Sequence, residues 1–311
     1  MDWRGESPFF LMNTQRHGLI ALLIVVAVWG TTFPTMKLLS AQLDALQIIW
    51  ARFAIALVVL LPLWRGLRAA EWRWGLALGA LLFIAFWLQT EGLARTSSNR
   101  NAFVTGLNVL VVPLLAWLVL ARRCGWMLWL ACAMALCGMG LMFHEDAPWN
   151  LGDSLTLAST LFYAIYILML EKSARRNGAA PLRATRLAAM QALVMCLASG
   201  LLMLARHGGI GSTLDALAAL PAPALTALVY LGVMASVLVV TLQAWGQQRV
   251  DAVRSAIIFG LEPVFAAATA WLLIGETLGV SGLAGAALIV AALVVSQLPA
   301  PRWGKLGMGR A

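Results

Sequence analysis

The chain reads as long apolar runs separated by short polar joints. Ten runs stand out, at residues 18–39, 44–64, 72–94, 101–121, 126–143, 151–171, 182–205, 222–248, 255–275 and 280–298. Each is close to or above the ~20 residues a helix needs to cross a hydrocarbon core of roughly 30 Å. No linker, low-complexity tract or aqueous domain is left over. The pattern therefore predicts an all-α membrane protein of ten transmembrane helices. The first run continues past "WGTTFPTMK" without a convincing small-residue cleavage site, so it is expected to stay as a helix rather than leave as a signal peptide.

Composition agrees with the pattern. Hydrophobic residues make up 62% of the chain and charged residues 11%, against roughly half and a quarter in a soluble domain. The net charge of +9 could suggest nucleic acid, but its distribution gives another origin. With the N-terminus inside, only Lys37, Arg95, Arg100 and Arg206 fall at outer ends or loops, and Arg52 and Arg186 lie within helices. Every other Lys and Arg falls on the cytoplasmic side, as membrane insertion demands of short loops. Both termini, residues 1–17 and 299–311, are thus expected in the cytoplasm, and the expected location is the cytoplasmic (inner) membrane of a bacterium. Trp64, Trp72, Trp74, Trp126, Trp129 and Trp149 fall near helix ends, where indole anchors at the interface. Cys124, Cys132, Cys137 and Cys196 lack the paired spacing of a zinc or redox site and are expected to be packing residues, so neither metal nor cofactor is implied.

The sequence also repeats itself. At an offset of 154, Gln89 lies over Gln243, Gly92 over Gly246, Arg95 over Arg249, Arg100 over Arg254, Gly106 over Gly260 and Leu107 over Leu261. The register continues through "AWLVLARRCG" and "AWLLIGETLG", so the third to fifth runs correspond to the eighth to tenth. An offset of 134 places Arg52 over Arg186 for the earlier runs. Five helices per copy is an odd number, so the copies, residues 18–143 and 151–298, must enter the membrane from opposite sides. Arg122 and Arg123 on the inner side align with Glu276 and Thr277 on the outer side, a charge reversal that follows the inversion. Arg95 and Arg100 run against that trend, and specific contacts are expected for them. Inverted repeats around a site near the midplane are the architecture of secondary transporters.

Within this frame "GLEPVFAAATAWLLIGE" sets Glu262 and Pro263 inside a spanning run, with Asn108 as the repeat partner of Glu262. At about 1.5 Å per residue Glu262 sits on the order of 10–15 Å into the membrane. Ionisable groups at that depth face the protein interior or a wet cavity. One reading makes Glu262 a substrate or proton-coupling site; the other has it satisfying polar groups at a proline kink. Gln89 and Gln243 offer donors and acceptors to a polar ligand, or tie helices together. Arg52 and Arg186 are read as snorkelling or pairing with an acid such as Asp44, and Glu91 as pairing with Arg95 or Lys37. Tyr163 and Tyr166 share one helix side. With Trp87, Trp117, Trp245 and Trp271 they suit an aromatic pocket wall, against the commoner role of lipid-facing or packing residues. Small residues at Ser281, Gly282, Gly285 and Ala286 allow close helix contact, within the chain or at a homodimer face.

These residues resemble the drug/metabolite transporter superfamily, specifically its EamA-type members. The similarity rests on "WGTTFPTMK" in the first run, "WARF" around Arg52, "TSSNRNAFVTGLNVLVVPLLA" entering the fourth and "GLEPVFAAATAWLLIGETL" across the ninth. The first half carries "VLARRCG" where members often repeat the acidic motif ending here at Glu276. The resemblance implies a ten-helix carrier with a central cavity, often exporting amino acids or other small metabolites. It also implies that Thr31, Thr32, Gln89, Asn108, Tyr163, Gln243 and Glu262 line that cavity.

Other classes fit less well. No HExxH, GxSxG or acidic metal-binding repeat supports an intramembrane enzyme, and His17, His144 and His207 sit at run ends far apart in sequence. No P-loop supports direct ATP drive. A multidrug or organic-cation efflux carrier is the main alternative, and a channel would differ by unitary conductance in place of saturable flux. In a cysteine-free background, Arg123→Cys and Glu276→Cys should label with an impermeant maleimide from opposite sides of the membrane; labelling from one side would remove the inverted arrangement.

Overall fold

The computed structural model describes residues 8–298, apart from 123, 143–147, 177–180, 208–209 and 275–278, and over these it is helical throughout. The elements are α1 (Pro8–Leu39), α2 (Ala45–Leu60, extended by a 3₁₀ turn, Leu61–Trp64), α3 (Ala69–Arg95), α4 (Ser98–Gly106), α5 (Asn108–Leu118), α6 (Trp126–Met142) and α7 (Leu151–Arg176). They continue as α8 (Ala184–His207), α9 (Gly211–Ala218), α10 (Ala222–Tyr230), a π-helical segment Leu231–Leu238, α11 (Val239–Gln247), α12 (Ala252–Phe259), α13 (Glu262–Ile274) and α14 (Val280–Gln297). Among the described residues nine helices are long and apolar enough to cross a membrane when the halves of broken ones are joined, and α6 is a shorter apolar helix of 17 residues. The protein is therefore an all-α, multi-pass membrane protein.

Three runs expected as single helices are interrupted. Run 101–121 becomes α4 and α5, run 255–275 becomes α12 and α13, and run 222–248 is divided by the π-helical segment. The first two breaks fall at Gly106–Leu107 and Gly260–Leu261, positions equivalent at the offset of 154. Both glycines sit in close packing: a Cβ on Gly260 would lie 2.6 Å from Val109 Cγ2, and one on Gly106 would displace the flexible Met139 side chain, whose Sδ lies 2.5 Å away. The half-helices also begin alike. Ser97 Oγ accepts from the Arg100 amide and Asp251 Oδ1 from the Arg254 amide, so equivalent side chains cap the free N–H groups of α4 and α12. Pro263 is thus not a kink in a continuous helix. It occupies the first turn of α13, where an amide has no partner within the helix and its loss is harmless.

The helices pack around two apolar clusters, a large one containing Leu22, Phe53, Leu82, Val109, Ile167 and Ile257 and a smaller one containing Phe33, Leu39, Ile48, Leu93 and Leu231. α3 lies against α7 and α8, α2 against α8 and the π-helical segment, and α1 against α11 and α13. α3 and α7 run antiparallel, because Gly92 near the end of α3 meets Gly152 and Thr156 at the start of α7. α14 packs on α6, and Gly285 faces Gly138 so closely that a Cβ on either would come within 2.6 Å of the other's carbonyl oxygen. Gly285 and Gly282 thus serve packing within the chain, while Ser281 is exposed.

Four carboxylates join the first half of the chain to the second. Glu71 pairs with Arg68 at 3.1 Å and Arg186 at 3.2 Å, and Glu91 with Arg95 at 2.6 Å and Arg206 at 2.9 Å. Asp153 pairs with Arg100 at 2.9 Å, and Glu171 with Arg122 at 2.7 Å and Arg175 at 2.6 Å. Arg95 and Arg100 therefore have the specific contacts expected for them. Arg186 meets Glu71 rather than Asp44, which caps α2 through the Gln47 amide. Lys37 does not reach Glu91 but donates to the Leu93 and Thr96 carbonyls.

Gly138→Leu should lower the unfolding midpoint of detergent-solubilised protein, matching an overpacking penalty of about 1–3 kcal/mol. Gly140→Leu, at a position with nothing within 4 Å of an added Cβ, should leave the midpoint unchanged.

Candidate functional site

A cavity opens among the helices, with about 580 Å³ of empty space when its mouth is counted in. Helical spacing explains most of its lining. Trp29, Thr32, Phe33 and Met36 follow i, i+3, i+4, i+7 along α1, and Ala85, Phe86 and Gln89 share one face of α3. Ser159 and Tyr163 come from α7, and Arg52 from α2. The remaining lining residues flank the two helix breaks: Thr105 and Asn108 at the first, Phe259 and Glu262 at the second. Thr105 and Phe259 are equivalent at the offset of 154, as are Asn108 and Glu262. The latter two are the first residues of α5 and α13, so two half-helix N-termini meet the cavity. Such an end carries partial positive charge and free amides.

Hydrogen bonds order the polar part of the wall. Gln89 Nε2 donates to Thr105 Oγ1 at 3.0 Å, Thr105 donates to the Asn101 carbonyl at 2.8 Å, and Asn108 Nδ2 donates to the Thr105 carbonyl at 2.9 Å. Asn108 Oδ1 is left buried without a partner. Gln243 Nε2 donates to the Tyr163 hydroxyl at 2.6 Å, filling an acceptor position and leaving the phenolic proton to be donated elsewhere. Rings complete the wall: Trp29 meets Tyr163 and Phe259 edge-on, with centroids 5.7 and 5.1 Å apart.

Two ionisable groups stand in this lining. Glu262, 5% exposed, makes no hydrogen bond or ion pair with the described residues, so it does not satisfy polar groups at a kink. Arg52, 3% exposed, has no carboxylate partner among them, contrary to the expectation of snorkelling or pairing with Asp44.

Of the residues expected at the site, Thr32, Gln89, Asn108, Tyr163 and Glu262 are brought together around the cavity. Thr31 turns away to the Tyr230 hydroxyl and the Val28 carbonyl. Tyr166 stands behind Tyr163, stacked on it at 5.4 Å and donating to Gln191 at 2.9 Å. Gln243 supports Tyr163 from behind the wall rather than lining the cavity. The four tryptophans proposed as walls lie elsewhere. Trp117 and Trp271 are 52% and 58% exposed, Trp87 stacks on Phe83, and Trp245 lies under the Arg249 guanidinium. The aromatic wall is instead Trp29, Phe33, Phe86, Tyr163 and Phe259. Its signal was the i, i+3, i+4, i+7 stripe inside "WGTTFPTMK", together with Phe86 and Phe259, each three residues before a polar repeat position, Gln89 and Glu262.

The described residues contain no group of three or more His, Cys, Asp or Glu able to hold a metal ion. The four cysteines are free thiols. In a cysteine-free background, Thr32→Cys and Asn108→Cys should react with a small hydrophilic thiosulfonate that enters the cavity, and Thr31→Cys and Tyr166→Cys should react much more slowly. Equal rates at all four positions would contradict this lining.

Comparison with known proteins gives three results. The pattern of the EamA-like transporter family matches residues 16–144 and again residues 150–297. An uncharacterized transporter of Archaeoglobus fulgidus is 25% identical over 286 residues, covering 90% of this chain and 85% of its own length. A solved crystal structure superimposes with a TM-score of 0.70 at 15% identity, covering 90% of this chain and 96% of the other, a likeness of fold.

Proposed function

Because the chain belongs to the EamA-like transporter family, and so to transporters rather than enzymes, we propose that it is a secondary-active or facilitative carrier working by alternating access. Its substrates are small metabolites, amino acids or related compounds, exported across a bacterial cytoplasmic membrane. One observation carries the reading: the cavity is flanked by helix breaks at equivalent positions of two sequence repeats, each presenting a polar residue, Asn108 or Glu262. Unwound segments near the midplane are how transporters expose backbone and side-chain polarity to a ligand, because lipid tolerates irregular backbone only where protein or a cavity covers it.

The proposed frame is ten helices in two inverted five-helix repeats with both termini cytoplasmic. The family pattern's two matches, the offset of 154 and the loop-charge asymmetry support it. Two similar units of opposite orientation can exchange inward-open and outward-open forms around one site. Glu262, without a protein partner, is the proposed coupling group, able to hold either a proton or a substrate cation.

Proteoliposomes loaded with a panel of amino acids, organic cations and sugars should show saturable counterflow for amino-acid-like compounds; flux restricted to organic cations would move the reading to drug efflux, and unitary conductance would make it a channel. Glu262→Gln should fold normally and lose the response of flux to an imposed pH gradient. A folded variant with unaltered pH-dependent flux would remove the coupling role.

A further inference from the structure

Arginine keeps its charge in proteins, so a buried guanidinium must find a counter-charge or be strongly penalised. Arg100 and Arg186, at the two ends of the bundle, find Asp153 and Glu71. Arg52, deeper and facing the cavity, finds none among the described residues. Its Nε donates to Ser236 Oγ at 2.8 Å, and Nη1 reaches only the Met36 sulfur at 3.5 Å, a weak acceptor. The Phe53 and Phe86 rings flank it, with centroids 5.3 and 5.4 Å from Cζ. The side chain is therefore held from behind, while Nη2 has no acceptor among the described residues. Glu262 lines the same cavity but forms no ion pair with it.

We propose that Arg52 is the carboxylate-recognising residue of this cavity, so that the compounds carried are small monocarboxylates, with or without an amine, whose apolar body lies against Trp29, Phe33 and Phe86. The assignment rests on the transport reading above and names its substrate class. A carboxylate matches the guanidinium fork by accepting two parallel N–H bonds. A single fixed cation in the lining balances one negative charge, and the Glu262 carboxyl in the same cavity disfavours dianions such as phosphate monoesters. The aromatic side of the lining, Trp29, Phe33, Phe86, Tyr163 and Phe259, suits an apolar or aromatic body.

The test is equilibrium binding of three radiolabelled probes of one shape, 3-phenylpropionate, phenylalanine and 2-phenylethylamine, to the full chain in lipid nanodiscs. The wild-type protein should bind the two carboxylates at least about 10-fold more tightly than the amine alone. Arg52→Met, which keeps apolar packing against Phe53 and Phe86, should weaken carboxylate binding by about 10- to 100-fold with an unchanged unfolding midpoint, as for loss of a charged hydrogen-bonded pair. Arg52→Lys should fall between the two. If Arg52→Met unfolds, Ser236→Ala, which frees Nε while keeping the charge, should still weaken both carboxylates several-fold. Carboxylate binding unaffected by the folded variants, amine binding as tight as acid binding, or no carboxylate bound by the wild type would each overturn the assignment. Counterflow that persists unchanged in Arg52→Met would overturn it while leaving the transport reading intact. Absence of counterflow for every compound, with carboxylate binding still dependent on Arg52, would instead remove transport and keep the site.

Discussion

Hydrocarbon offers no hydrogen bonds, and that constraint governs this protein at every level. It forces the chain into helices, since each backbone amide and carbonyl must be satisfied within its own segment. Where a helix breaks, the freed groups must be covered by protein or face a wet interior. Both breaks, at Gly106–Leu107 and Gly260–Leu261, accordingly lie inside the bundle, and the residues beside them line the cavity. Polar side chains obey the same rule: Thr32, Thr105 and Ser159 each donate to a carbonyl of their own helix. What remains unsatisfied is correspondingly informative.

The distribution of satisfied and unsatisfied charge separates scaffold from site. Glu71, Asp153 and Glu171 are buried at the ends of the bundle, and each has at least one arginine within hydrogen-bonding distance. Removing Arg100 from Asp153, a pair buried on both sides, would leave a buried charge without its counter-ion, a loss of about 3–5 kcal/mol. Around the cavity, by contrast, Arg52 and Glu262 face space, and Asn108 keeps a buried oxygen with no partner. Charge is thus partnered at both ends of the bundle and, among the described residues, left open in the middle.

Much of this organisation is readable from residue order, because the signals are strong and local. Apolar run length predicts where helices cross, and the repeat at an offset of 154 singles out the pair Asn108 and Glu262. Interruptions within runs were harder to see. Gly106 and Gly260 look like ordinary glycines in apolar segments, and their need for space comes from Met139 and Val109, which no local pattern identifies. Nothing in "PAPALTALVYLGVMASVLVV" announces a π-helical segment. Arg52 was misjudged for a related reason: four to eight residues from a helix end suggests snorkelling, and only the packing of α2 against the π-helical segment turns it toward Ser236 and the cavity. Tryptophan count likewise misled, since Trp117 and Trp271 face outward while Trp29 carries the wall.

The antiparallel pairing of α3 and α7 has a mechanical corollary. Each of these helices bears an acid near both tips, Glu71 and Glu91 on one, Asp153 and Glu171 on the other, and every one of the four grips an arginine across the divide between the halves. Two latches therefore sit at each mouth of the molecule. Were the halves to part at one end of the bundle, only the pair there would be strained, and the opposite pair would stay fastened.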